Sequence, residues 1–162
     1  RSSRNTEKND IWQALTTTLM KTLEYPMAAT TLSKEQWDDL MSPILRICLP
    51  KGGYSSNFPH AIMFGPTDFG GRGLMHPWYN QELSHLETFW EETSLESHTG
   101  KLFGNSLETL RLELGFPGFL TSIPHTRMEK CATTSWMTTL WASSSMFNIQ
   151  IRDPFTCASS SP

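Results

Sequence analysis

The chain has no run of Lys or Arg: its 13 basic residues are scattered among 16 acidic ones, for a net charge of −3. Attraction to a phosphate backbone grows with clustered cations, so broad electrostatic coating of DNA or RNA is excluded and any nucleic-acid contact must be local. From Glu82 to Glu96 there are five Glu and no Lys or Arg, a stretch that repels phosphate. Long apolar runs are missing too. The longest unbroken one, Ala61 to Phe64, falls far short of the roughly 20 residues that cross a bilayer, and no charged-then-apolar leader precedes it, so no membrane partner is expected. Cysteine is scarce: Cys48, Cys131 and Cys157 are odd in number and lack metal-ligand spacing. His60, His76, His85, His98 and His125 contain no HxxxH and no close His/Cys pair, so no metal or cofactor is expected in this segment. No Asn-X-Ser/Thr acceptor is present, and these absences together point to a reducing, intracellular setting, cytoplasm or nucleus. Nucleophile-elbow, P-loop and paired-aspartate polymerase signatures are all missing, so no catalytic residue is assigned. The sequence opens on Arg1 rather than Met, which reads as a processed chain or, the favoured alternative, a piece of a longer protein.

What is present is helical periodicity around one irregular stretch. At 162 residues the chain can bury about 70% of its unfolded surface, and six Trp and eight Met supply an aromatic-rich core. Residues 1–9 are polar and read as a disordered tail. From Asp10, Ile11, Leu15, Leu19 and Leu23 recur every fourth residue, flanked by Trp12 and Met20, until Pro26 is expected to end the helix. Ser33 and Gln36 form a capping box for the next helix, whose stripe is Trp37, Leu40, Met41, Ile44, Leu45 and Cys48. Pro43 should kink that helix or restart it with Ser42 as a second cap, and Leu49-Pro50 should end it. Cys48 falls on the apolar face and reads as a small buried hydrophobe.

Phe58 to Leu74 has no helical period. Gly65-Pro66 and the glycines at 70, 71 and 73 break regular structure, yet Phe64, Phe69 and Leu74 are too apolar for a free linker, so the loop should pack against the helices. GPTDFGGRG is not GxGxxG and does not join a strand to a helix, which argues against a phosphate cradle. A third helix is expected from about Pro77 with the stripe Tyr79, Leu83, Leu86 and Trp90. A fourth, from near Thr99, carries Phe103, Leu107, Leu110 and Leu114 and closes at Gly115 and Pro117. Residues 116–132 read as loop. A fifth helix, capped by Thr133 or Thr134, carries Trp136, Met137, Leu140, Trp141 and Phe147, and the alternation Phe147, Ile149, Ile151 is compatible with a short strand. Asp38-Asp39 and Glu91-Glu92 read as solvated helix faces. Trp78 and Tyr79 offer stacking faces at the loop exit, beside the acidic stretch.

Four segments in order, LEYPMAATTLSKEQWDDLMSPILRICLPKGG (Leu23–Gly53), NFPHAIMFGPTDFGGRGL (Asn57–Leu74), TGKLFGNSLETLRLELG (Thr99–Gly115) and ATTSWMTTLWASSSMFNIQI (Ala132–Ile151), resemble a known family. It is the region downstream of the reverse transcriptase domain in non-LTR-type retroelement polyproteins of diatoms and other protists. GGRGL is similar to a Gly-Gly-Leu-Gly-apolar motif that follows the polymerase domain in many such elements. Asn57 and His60 stand where the family often has Arg or Lys, and Arg72 where it has Leu. The resemblance implies a non-catalytic, thumb-like or connecting segment. The implied partners are the upstream polymerase domain and an RNA or DNA template–primer.

The expected fold is mainly α: about five amphipathic helices around one aromatic-rich core over residues 10–152, a packed Gly/Pro-rich loop, at most one or two short strands, and a disordered tail at 153–162. If the chain contacts nucleic acid, the basic residues beside Gly-rich turns, Lys51, Arg72 and Lys101, are the candidates. The competing reading is a helical protein–protein interaction module with no nucleic-acid role.

Overall fold

The threonines of the first helix decide its shape. In the computed structural model, which describes residues 8–95, 97–118, 125–151 and 153–155, α1 (Lys8–Gln13) runs through a π-helical segment (Ala14–Leu19) into α2 (Met20–Met27) without a break. Thr16 Oγ1 donates to the Trp12 carbonyl at 3.0 Å and Thr17 Oγ1 to the Gln13 carbonyl at 2.7 Å. These hydroxyls compete for the carbonyls that an α-turn would use, and the Met20 N–H bonds back to Leu15 instead, one residue further. The buried residues follow that wider turn, Leu15 then Met20, rather than the expected four-residue repeat; Leu19 and Leu23 are half-buried at its edge. Pro26 does not stop the helix but sits in its last turn, before the Ala28 cap.

Ser33 caps α3 (Lys34–Lys51) with both halves of the capping box made: Gln36 N–H to Ser33 Oγ at 3.3 Å, and Ser33 N–H to Gln36 Oε1 at 2.8 Å. The helix does not restart at Ser42; it runs through both Pro43 and Pro50. Pro43 and Asp39 are exposed, so water can take the Asp39 carbonyl that a proline cannot serve. Trp37, Met41, Leu45 and Leu49 are buried, whereas Leu40, expected in the stripe, is 44% exposed. Cys48 is half-buried at the edge of the same apolar cluster.

The Phe58–Leu74 stretch is tied down by its own backbone. A short helix, α4 (His60–Met63), and a 3₁₀ turn (Thr67–Phe69) lie within it. The N–H groups of Arg72, Gly73 and Leu74 donate to the carbonyls of Ile62, Gly65 and Met63 at 2.8, 2.8 and 3.2 Å. Gly71 lies so close to Gly65 that an added Cβ would collide with the Gly65 carbonyl. Met63 and Leu74 are buried by this folding-back, while Phe69, expected to pack, is 89% exposed.

α5 (Pro77–Ser94) begins with Pro77, as a proline in the first turn favours. Its buried face is not the expected apolar stripe. Gln81, Glu82, His85 and Phe89 are buried, whereas Leu83 and Trp90 are exposed. α6 (His98–Leu114) is capped by Ser97, whose Oγ accepts from the Gly100 N–H at 2.9 Å, and ends at Gly115 with φ 64°. α7 (His125–Met128) and a 3₁₀ turn (Glu129–Cys131) precede α8 (Trp136–Met146). Ser135 caps α8, with Thr138 completing the box. Thr133, an expected cap, bonds the Glu113 carboxylate instead, its N–H and hydroxyl both at 3.0 Å. Phe147 is the cap residue after α8, and no strand occurs among the described residues, Phe147 to Ile151 included.

The architecture is mainly α. The chain divides into two compact units, residues 1–81 and 82–162, and the buried side chains gather into two clusters where one core was expected. In the first unit Leu15, Met20, Met41, Leu45, Leu49, Met63 and Leu74 pack together. In the second, Phe89, Leu107, Leu110, Met137, Leu140 and Trp141 do so, with Phe103 stacked on Trp136 at 4.5 Å and 13°. The terminal stretches read as tails fall largely outside the described residues, at 1–7 and 156–162, and Cys157 with them.

Candidate functional site

Two neighbourhoods of the first unit bring polar and aromatic groups together. The first is the turn after α3. Lys51 ends the helix, Gly52 caps it, and Gly53 adopts φ 83° so that the Tyr54 N–H can return to the Leu49 carbonyl at 2.9 Å. Tyr54 packs against Phe58 at 4.9 Å and Trp12 at 6.1 Å between ring centroids. The Arg72 guanidinium carbon lies 4.7 Å from the Tyr54 centroid and 6.0 Å from that of Trp12. The Lys8 side chain lies against Gly53. Lys51 and Arg72 therefore border one turn, both exposed. Lys101 lies in the second unit, exposed in the first turn of α6. Lys8, Trp12 and Tyr54 were missed from sequence; an aromatic following a Gly-Gly turn was the available signal.

The second neighbourhood is a cleft of about 360 Å³ formed by α3, the α4 region and the start of α5, lined by Lys34, Asp38, His60, Phe64, His76 and Tyr79 among others. Asp38, read from sequence as simply solvated, is held there: His76 Nε2 lies 3.1 Å from its Oδ1. The Trp78 N–H donates to His76 Nδ1 at 3.2 Å, which makes Nδ1 the acceptor and Nε2–H the donor to Asp38. Both ring nitrogens are thus engaged, and His76 positions the carboxylate. The ring also meets Phe64 edge-on at 4.7 Å. Lys34, one helical turn before Asp38, holds its ammonium 5.9 Å from the Tyr79 centroid.

Gln81 anchors the start of α5 to this wall. Its Oε1 accepts from Trp37 Nε1–H at 2.9 Å, Thr30 Oγ1 at 3.0 Å and the Leu32 N–H at 3.2 Å, and its Nε2 donates to the Leu32 carbonyl at 3.0 Å. In the second unit, buried Glu82 and His85 approach to 3.9 Å, and the His85 ring lies 5.0 Å from Trp136. Among the described residues no group of three or more His, Cys, Asp or Glu side chains is placed to hold a metal ion. No helix among them is long and apolar enough to cross a membrane.

The class of protein these features define is a mainly α chain of two compact units carrying a basic–aromatic turn and a mixed-charge cleft in the first. No protein-family model, curated protein or solved structure matches it.

Proposed function

We propose that this chain is a non-catalytic, thumb-like or connecting segment of a retroelement polyprotein whose upstream domain copies RNA into DNA, and that it helps position nucleic acid or a neighbouring domain. The retroelement part rests on the ordered sequence resemblance. The nucleic-acid part is carried by one observation, the Arg72 guanidinium lying over Tyr54 at the Lys51–Gly53 turn with Lys8 alongside. A guanidinium resting on a ring keeps its N–H edges for phosphate, and neighbouring aromatic faces can stack bases. Such a turn supplies the local contact that a chain of net charge −3 requires. The partners in this reading are the upstream polymerase domain and an RNA or DNA template–primer, in an intracellular setting.

Filter binding to an RNA–DNA hybrid tests it. Retention at low salt is expected, and Lys51→Ala and Arg72→Ala should each reduce the salt slope by about one unit; Lys101→Ala tests the third candidate separately. Slopes unchanged in the first two variants would remove the interface. Parentage is tested by the coding sequence upstream of Arg1, where a polymerase domain with paired aspartates is expected.

A second reading, a helical protein–protein interaction module, is favoured by the exposed face of α5. Trp90 is 62% exposed and Leu83, two turns earlier, is 46% exposed, with the exposed Glu87 and Glu91 beside them. Absence of retention on any nucleic acid at low salt would favour this reading over the first.

A further inference from the structure

We propose that the Lys34–Asp38–Tyr79 cleft is a binding site for an unpaired guanine base. The inference uses none of the residues of the Arg72–Tyr54 turn and does not depend on a retroelement origin. Asp38 gives the cleft a fixed anionic acceptor: His76 Nε2–H occupies one lone pair of Oδ1, and His76 is itself pinned by the Trp78 N–H. A carboxylate has about four acceptor sites, so most remain for a ligand. The Asp38 side chain is 42% exposed, so ligand can reach it. Lys34 supplies a cation on the same face of α3. Its ammonium rests over the Tyr79 ring, and among the described residues no carboxylate lies within ion-pair distance of it. Phe64 and Tyr79 provide flat apolar walls.

The opposite charges narrow the ligand. A guanidinium or amine suits Asp38 but is repelled by Lys34; a lone carboxylate or phosphate suits Lys34 but is repelled by Asp38. The match is a neutral, flat ring with two adjacent donors and a neighbouring acceptor. Guanine has that pattern, N1–H and the 2-amino group for the carboxylate and O6 or N7 for the ammonium. Adenine and cytosine place an acceptor beside their amino group, and uracil flanks its one N–H with two carbonyls. Bases released from a stack are read in this way, by edge hydrogen bonds and an aromatic face. The volume of about 360 Å³ admits a nucleoside.

Isothermal titration of the full chain with GMP, AMP, CMP and UMP tests the assignment. Saturable GMP binding about tenfold or more tighter than the other three is expected, and IMP, which lacks the 2-amino group, should fall with the weak ligands. Asp38→Asn keeps an acceptor for His76 but places an amide N–H₂ where the 2-amino group would sit. It should lose GMP and gain XMP, whose 2-carbonyl accepts from that amide, a switch that a merely structural aspartate would not give. Thermal melts check that the variant is folded; if it is not, Lys34→Gln, at an exposed site, should weaken GMP by about tenfold. An oligonucleotide with a single guanine, competing with GMP, distinguishes a strand from a free nucleotide as the source of the base. No GMP binding, equal binding of all four nucleotides, displacement of GMP by a free amino acid zwitterion, or GMP binding unchanged in folded Asp38→Asn or Lys34→Gln would overturn the proposal.

Discussion

The indole N–H of Trp37 donates to the Oε1 of Gln81 at 2.9 Å, a bond between two fully buried side chains 44 positions apart in sequence. The same oxygen serves Thr30 and Leu32, so one amide fixes the start of α5 against the start of α3. Gln81→Met keeps the volume and removes the acceptor, leaving the Trp37 and Leu32 donors without this partner. A loss of about 1–3 kcal/mol is expected in urea unfolding, with the m-value unchanged. Stability equal to wild type would show that water or another group replaces the amide.

This contact also shows where sequence reading stops. Local signals were legible: the Ser33–Gln36 box and the Gly115 cap each sit within one turn, and the structure places both where the residue types require. α6 kept its expected face because Leu107 and Leu110 have no polar rival for burial. α5 did not. Its Leu83 and Trp90 obey the helical period, but Gln81 and His85 occupy the buried face, made tolerable by the Gln81 hydrogen bonds and by Trp136 against His85. Partners that far away in sequence leave no periodic trace. Asp38 is partly solvated, its side chain 42% exposed, but its bond to His76 left no trace in the sequence because His76 lies beyond a whole loop. The threonines at 16 to 18 weaken an α-helix by their residue type alone, but that the Thr16 and Thr17 hydroxyls widen it and shift burial from Leu19 to Met20 is legible only in the structure.

The glycines of the packed loop should separate by mechanism. A Cβ on Gly71 meets the backbone carbonyl of Gly65, which cannot rotate away, so Gly71→Ala should cost about 3 kcal/mol and loosen the Arg72–Leu74 bonds to the α4 region. Gly70 has φ 80° and open space around it, so Gly70→Ala should cost only the left-handed strain, about 1 kcal/mol. Hydrogen exchange at Arg72, Gly73 and Leu74 accelerates in the first variant and not in the second. Equal stability losses would mean that backbone conformation alone sets the glycine requirement.

Arg111 and Asp153 should behave as a sheltered pair. The Arg111 Nη2–Asp153 Oδ2 distance is 2.6 Å, and the side chains are only 15% and 10% exposed. Burial by itself lowers the Arg111 pKa, but hydrogen bonds and charge from Asp153 and Glu108 outweigh it and the net shift is upward. The guanidinium thus stays charged throughout the accessible pH range, and removing Asp153 leaves it the more exposed Glu108 carboxylate and the Gly118 carbonyl. Asp153→Ala should therefore cost about 1–2 kcal/mol, less than a wholly uncompensated buried charge would. The Lys21–Glu24 pair is a built-in comparison, with side chains 68% and 38% exposed; Glu24→Ala should change stability by less than about 0.5 kcal/mol.

Glu35, in the first turn of α3, should give the acid limb of stability a specific contribution. Its carboxylate is held below the ordinary value of about 4.5, first by a hydrogen bond from its own backbone N–H and then by the Ser33 hydroxyl, which donates to Oε2 at 2.9 Å. Both bonds favour the charged form at a helix N-terminus. A depressed folded-state pKa means that the unfolded chain takes up the proton first. The stabilisation is therefore fully present above the ordinary glutamate value and disappears as pH falls through the lower folded value. Glu35→Gln should melt below wild type at pH 7, and the two melting temperatures should converge as pH is lowered through and beneath that window. A difference that persists undiminished in acid would mean that side-chain shape in the first turn, rather than charge, sets the contribution of Glu35.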